Sequence, residues 1–114
     1  MGVINHGAVI ATTCLDDAAD TLRAWIAGLT ERDRSLFSEQ RGWTNGYRTF
    51  FLGPDGSKEG WADSELGDSL RREFIEQLGD RFEWIEVSYG EFGQGVVRGN
   101  NENLYEVNGT SSDE

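Results

Sequence analysis

The chain has one cysteine, one histidine, one proline and one methionine among its 114 residues, and few bases. A lone Cys14 excludes an internal disulfide. Cys14 and His6 together fall short of the four His or Cys ligands of a structural zinc site, so no metal and no cofactor are expected. Ten basic residues against 21 acids leave a net charge of −11. With no basic block, there is no counterion-release term to draw the chain onto duplex nucleic acid, and direct nucleic-acid binding is not expected. The same repulsion opposes an anionic membrane surface. No apolar run approaches the ~20 residues of a membrane span. The start, Met1 to His6, lacks the basic residues and apolar stretch of a secretory leader. His6 also stands where lipidation of Gly2 would call for Ser or Thr. A cytoplasmic location is the resulting expectation.

What the chain does have is bulk for a core. Hydrophobic residues make up 37% of it, with four Trp, six Phe and three Tyr. That supply favours one packed domain over disorder despite the charge. Residues 1–98 read as this domain, and 99–114 as a polar tail that frays.

The apolar run Ala8-Val9-Ile10-Ala11 reads as a strand buried on both faces. Thr13 offers an N-cap to a helix, and Asp16, Asp17 and Asp20 suit its first turns. Ala18, Leu22, Trp25, Ile26 and Leu29 form its buried stripe, and Gly28 a stop. Residues 30–44 are polar and carry Arg32, Arg34 and Arg41, with Leu36 and Phe37 as pins to the core. Tyr47 to Leu52 alternates as a strand, with Phe50 and Leu52 on one side and Tyr47, Thr49 and Phe51 on the other. Gly53-Pro54-Asp55-Gly56 has turn chemistry, which predicts a hairpin returning over Ser57 to Trp61.

Asp63 or Ser64 caps a second helix. Leu66, Leu70, Phe74 and Leu78 recur on it every fourth residue, and Gly79 ends it. Asp68, Arg72 and Glu76 have the spacing to pair on its outer face. Phe82 to Tyr89 alternates again. Ile85, Val87 and Tyr89 fall on one side, and Phe82, Trp84, Glu86 and Ser88 on the other. Glycines follow, and Val96 with Val97 suggests an extra C-terminal strand. The order βαββαβ predicts an α+β, ferredoxin-like split βαβ, with two helices on one face of an antiparallel sheet and the other face open.

Chemistry-bearing motifs are sparse. Cys14 near a helix start has the setting that activates a thiol, but His6 lies at the far end of the preceding strand. A small core residue is the plainer role for Cys14. Glu83 and Glu86 fall on opposite strand faces and make a poor acid/base couple. Gly93 to Gly99 lacks dinucleotide spacing and no helix follows it. No catalytic residue is assigned.

The most distinctive stretch runs Asn45-Gly46-Tyr47, an aromatic strand, then Pro54-Asp55-Gly56-Ser57-Lys58-Glu59-Gly60-Trp61. Over Gly42 to Phe74, and more loosely in the flanking strands, the chain resembles small uncharacterised phage and prophage proteins that share this run. The resemblance implies a phage origin and carries over no activity. Arg48, Lys58, Glu59, Trp61 and Asp63 are the candidate partner patch, since Arg and Trp are enriched at interface hot spots. Packing, capping and solvation are the competing roles for the same side chains.

Two functions follow. One is a small acidic accessory protein that docks on a host or phage protein and blocks a basic nucleic-acid-binding surface, with Glu83, Glu86 and Glu91 on its acidic face. It requires acids in one row at roughly phosphate spacing, ~7 Å. The other is a self-associating structural module, a homo-oligomer joined through an open sheet face carrying Tyr47, Phe51 or Trp84.

Overall fold

The computed structural model describes residues 4–58, 61–91 and 93–100. The chain is α+β, with five antiparallel strands and three helices among the described residues. In chain order these are β1 (Asn5–Thr13), α1 (Asp16–Ala27), α2 (Glu31–Arg34), β2 (Phe37–Arg41), β3 (Arg48–Leu52), α3 (Ala62–Leu78), β4 (Glu83–Gly90) and β5 (Gly93–Gly99). The sheet order is β2-β3-β1-β4-β5, so β1 is central. The first four strands follow the split βαβ plan, and β5 extends the sheet beyond β4.

The hairpin forms earlier than its turn chemistry predicts. β2 pairs with β3, Phe37 opposite Leu52 and Arg41 opposite Arg48. Asn45 and Gly46 both have positive φ, 63° and 69°, the backbone of a tight turn for which Asn-Gly is the preferred pair. β2 escapes sequence reading because Phe-Ser-Glu-Gln-Arg is an edge strand with a single apolar residue. The Pro54-Asp55-Gly56 segment instead leads into α3, and the described residues between Gly53 and Lys58 form no strand.

Helix starts also differ from expectation. Leu15, not Thr13, is the N-cap residue of α1. Thr13 is buried, accepts from Leu15 N–H and donates to the Arg81 carbonyl. Trp61 precedes α3 as its N-cap residue, so Asp63 and Ser64 lie in the first turn. On α3, Arg71 rather than Arg72 pairs with Asp68, and Arg72 reaches Ser69. Leu66 is exposed, whereas Gly67, Leu70, Phe74 and Leu78 are buried. A strict four-residue repeat rotates about 40° per step, so Leu66 is about 120° from Leu78 and leaves the buried stripe.

The core lies between the helices and one sheet face. Val9, Ala11, Phe50, Leu52 and Phe82 meet Ala18, Ala19 and Leu22 of α1 and Leu70, Phe74 and Leu78 of α3. The Phe74 ring meets Phe37 edge-on at 5.1 Å and stacks with Trp25 at 6.3 Å. Trp84 packs against this core, on the covered face. Helices cover β1 on one face only; on the other, Ala8 is buried at 2% as the apolar run implies, but Ile10 is 36% exposed. No described helix is long and apolar enough to cross a membrane.

Candidate functional site

The hydrophobic alternation of β1, β3 and β4 decides which side chains face away from the helices. Register then aligns them in rows across the sheet. Phe51, Ile10 and Ile85 form one row. Ala8, Val87 and Val96 form the next, followed by His6, Tyr89 and Gln94. The His6 and Tyr89 rings lie 5.1 Å apart. At the opposite end Thr49, Thr12 and Glu83 form a polar row, with the two threonine hydroxyls 2.9 Å apart. Ser38 and Gln40 of β2 complete the face beside β3.

Both long helices lie on the other side of the sheet. Ile10 and Tyr89 are therefore 36% and 41% exposed, and Phe51, Ile85 and Val87 are half-buried. Charged residues make up 27% of the chain, yet the described strand positions of this face carry one carboxylate, Glu83, and no lysine or arginine. A contiguous apolar patch with little charge is how the centre of a protein interface differs from ordinary surface. Phe51, Ile85, Val87 and Tyr89 were legible as one side of their strands. Ala8 and Ile10 were missed, because an unbroken apolar run conceals which of its residues a helix covers.

The candidate partner patch does not assemble as one surface. Arg48 lies at the start of β3, opposite Thr13, whereas Lys58, Trp61 and Asp63 follow the other end of that strand. The Arg48 side chain is only 12% exposed and binds Asp16 at 2.8 Å, and its Nε and Nη1 are buried without a partner. The Lys58 ammonium lies 5.7 Å from the Trp61 ring centroid, in cation–π range. Asp63 pairs with Arg32 at 2.8 Å, which raises the Arg32 pKa. Glu59 lies outside the described residues.

The three candidate acids are also separated. Glu83 is on the bare face, whereas Glu86 is on the helix side and binds Arg98 at 2.7 Å. Glu91 follows β4 and accepts from Ile4 N–H. Elsewhere Asp20 and Glu39 share Arg23, and Asp17 binds Arg81. The Arg23 guanidinium donates twice to Glu39 and holds its carboxyl below the usual value.

Cys14 is exposed and borders an open cleft of about 610 Å³ with Leu15, Tyr47, Arg81, Glu83 and Asn100. The charge of the Cys14 thiolate, its hydrogen bond and Glu83 all raise the Tyr47 pKa. His6, eight residues away along β1, is about 27 Å from Cys14 and out of reach as its base. Among the described residues no three His, Cys, Asp or Glu gather into a metal-binding group.

A second cleft, about 370 Å³, lies between α3 and the sheet. Asp55 Oδ1 accepts from the Ser57 N–H at 2.8 Å and from its hydroxyl, while Oδ2 accepts from Arg71 at 3.3 Å. Arg71 also binds Asp68 and lies against Gly7, where a Cβ would stand 3.0 Å from its Nε. Burial pushes the Asp55 carboxyl up, but the Ser57 hydrogen bonds and Arg71 outweigh it, and the net shift is downward. Asp55 and Ser57, the polar members of the distinctive turn segment, thus clamp a loop to α3. Both Asp55 oxygens and both terminal nitrogens of Arg71 are engaged within the fold, which is structural work.

No family model, curated protein or solved structure matches the chain.

Proposed function

We propose that this chain is a small accessory binding protein that docks on a protein partner through its bare sheet face. The observation that carries the reading is the row Phe51–Ile10–Ile85, apolar and uncharged in a chain of net charge −11. Burying such a face stabilises a complex by about 25 cal/mol per Å² of apolar area, offset by the cost of association. Docking through acidity, as a block on a basic nucleic-acid-binding surface, draws less support. Glu83 and Glu86 point to opposite sides, and Glu86 is occupied by Arg98. A phage origin, expected from the run at residues 42–74, and a cytoplasmic site of action belong to the same proposal. Catalysis is no part of this reading.

Affinity capture with the native chain and with Ile85→Asp, each at low and high salt, tests it. Apolar docking survives high salt, because it is not screened, and is lost in the variant. Capture that is unchanged in Ile85→Asp but lost at high salt overturns the sheet-face reading in favour of charge-driven docking.

A further inference from the structure

Resting on that reading, we infer that the protein covering the bare face is a second copy of this chain, packed sheet against sheet about a two-fold axis. Three observations converge on this occupant.

The first is charge. The face offers nothing to a charged partner, since Glu83 at one end is its only carboxylate and it carries no lysine or arginine among its described strand positions. Its complement is another neutral, apolar surface, which a second copy supplies. The acids of α1 and α3 then lie on the two outer layers of the assembly. Sheets pack about 10 Å apart and a helix layer adds about 10 Å on each side, so those layers are separated by roughly 30 Å. That is several Debye lengths at physiological salt, so the acids of these two helices do not oppose pairing.

The second is relief. A two-fold axis crossing the strands near Val9 maps the Ile10 row of one copy onto the Ala8 row of the other. On β1 the protruding Ile10 then meets the shallow position over Ala8, which is only 2% exposed, and on β4 Ile85 meets Val87. Each contact occurs twice, as an isologous interface requires. The same operation sets the Tyr89 end of each copy over the Glu83 end of the other, so the hydroxyl meets the single carboxylate of the face.

The third is area. Five strands about 4.8 Å apart, each about six residues long at 3.4 Å per residue, make a face of roughly 500 Å², or about 1,000 Å² over two copies. This reaches the lower bound for a specific interface, and the pairing is expected in the micromolar range.

Sedimentation equilibrium of the full chain, from about one micromolar to about one millimolar, is the test. Native protein is expected to pass from monomer to dimer, with the dissociation constant raised at least about 100-fold by Ile10→Lys. Tyr89→Glu, at a more exposed position, gives the same loss should Ile10→Lys fail to fold. Glu73→Lys on α3 leaves the constant within about two-fold. A native chain monomeric at about one millimolar overturns the dimer. Partner capture abolished by Ile85→Asp then leaves the docking reading standing, and capture unchanged by it overturns both. A dimer indifferent to Ile10→Lys and Tyr89→Glu overturns this face as its interface.

Discussion

Asp55 closes over α3 at Gly67 so tightly that a Cβ on Gly67 would lie 1.8 Å from Asp55 Oδ2. Gly67 is buried in the second turn of a 17-residue helix, where glycine is normally a defect. Here the missing side chain is the space that the loop carboxylate occupies. The relationship ties Pro54-Asp55-Gly56-Ser57 to Gly67 and Arg71, and it explains why a turn-like segment is held against a helix instead of closing a hairpin.

Gly67→Ala is therefore expected to reverse the usual helix rule. In an open helix the change gains about 1 kcal/mol. At this position the clash outweighs that gain, and the net loss is about 1–3 kcal/mol in urea unfolding. Adding Asp55→Gly to Gly67→Ala removes the obstruction, so the double variant regains part of the loss. A Gly67→Ala chain more stable than the native one would show that Asp55 does not occupy this space.

Asp55 also sets a pH dependence. Its folded pKa lies below the ordinary range of an aspartate carboxyl. The stability it contributes is thus complete above the unfolded pKa and is lost as pH falls through the folded one. Asp55→Asn should flatten the acid limb of the stability–pH curve while costing about 1–2 kcal/mol at neutral pH through weaker hydrogen bonds to Ser57 and Arg71. An acid limb identical to that of the native protein would show that Asp55 titrates alike in the folded and unfolded states.

Phe74 and Trp43 give opposite expectations. Phe74 is fully buried between Phe37 and Trp25, and Phe74→Ala should cost about 3–5 kcal/mol and alter the Trp25 fluorescence. Trp43 is fully exposed in the loop between β2 and β3, and Trp43→Ala should change stability by no more than about 0.5 kcal/mol. Comparable losses for the two would mean that the core is not centred on Phe74.

The Cys14–Tyr47 contact is readable by titration. The thiolate charge holds the Tyr47 pKa up, so Cys14→Ser should lower it toward the ordinary phenol value. Ultraviolet difference titration reports this as an earlier-ionising fraction among the three tyrosines. Superimposable curves would show that Cys14 does not act on Tyr47.

Much of the architecture was legible in periodicity. Phe50 and Leu52 are buried as their alternation implies, and β4 divides its side chains between Trp84 on the covered side and Ile85 on the bare one. The hairpin was not legible, since β2 is too polar to signal a strand and two turn segments, Asn45-Gly46 and Pro54-Asp55-Gly56, competed for one return. Local chemistry permits a turn at both. Pairing of Phe37 with Leu52 decided for the first, because it places Phe37 against Phe74. The candidate patch around Arg48 and Trp61 was drawn from neighbours in sequence, and a strand carries such neighbours to opposite ends of a sheet.

The single-domain α+β expectation, the scarcity of metal and disulfide chemistry and the net charge of −11 were all present in the sequence, because composition and period are local properties. That the charge leaves one sheet face almost untouched was decided only in three dimensions. Register brings Phe51, Ile10 and Ile85, far apart along the chain, into one row, and both long helices cover the other side.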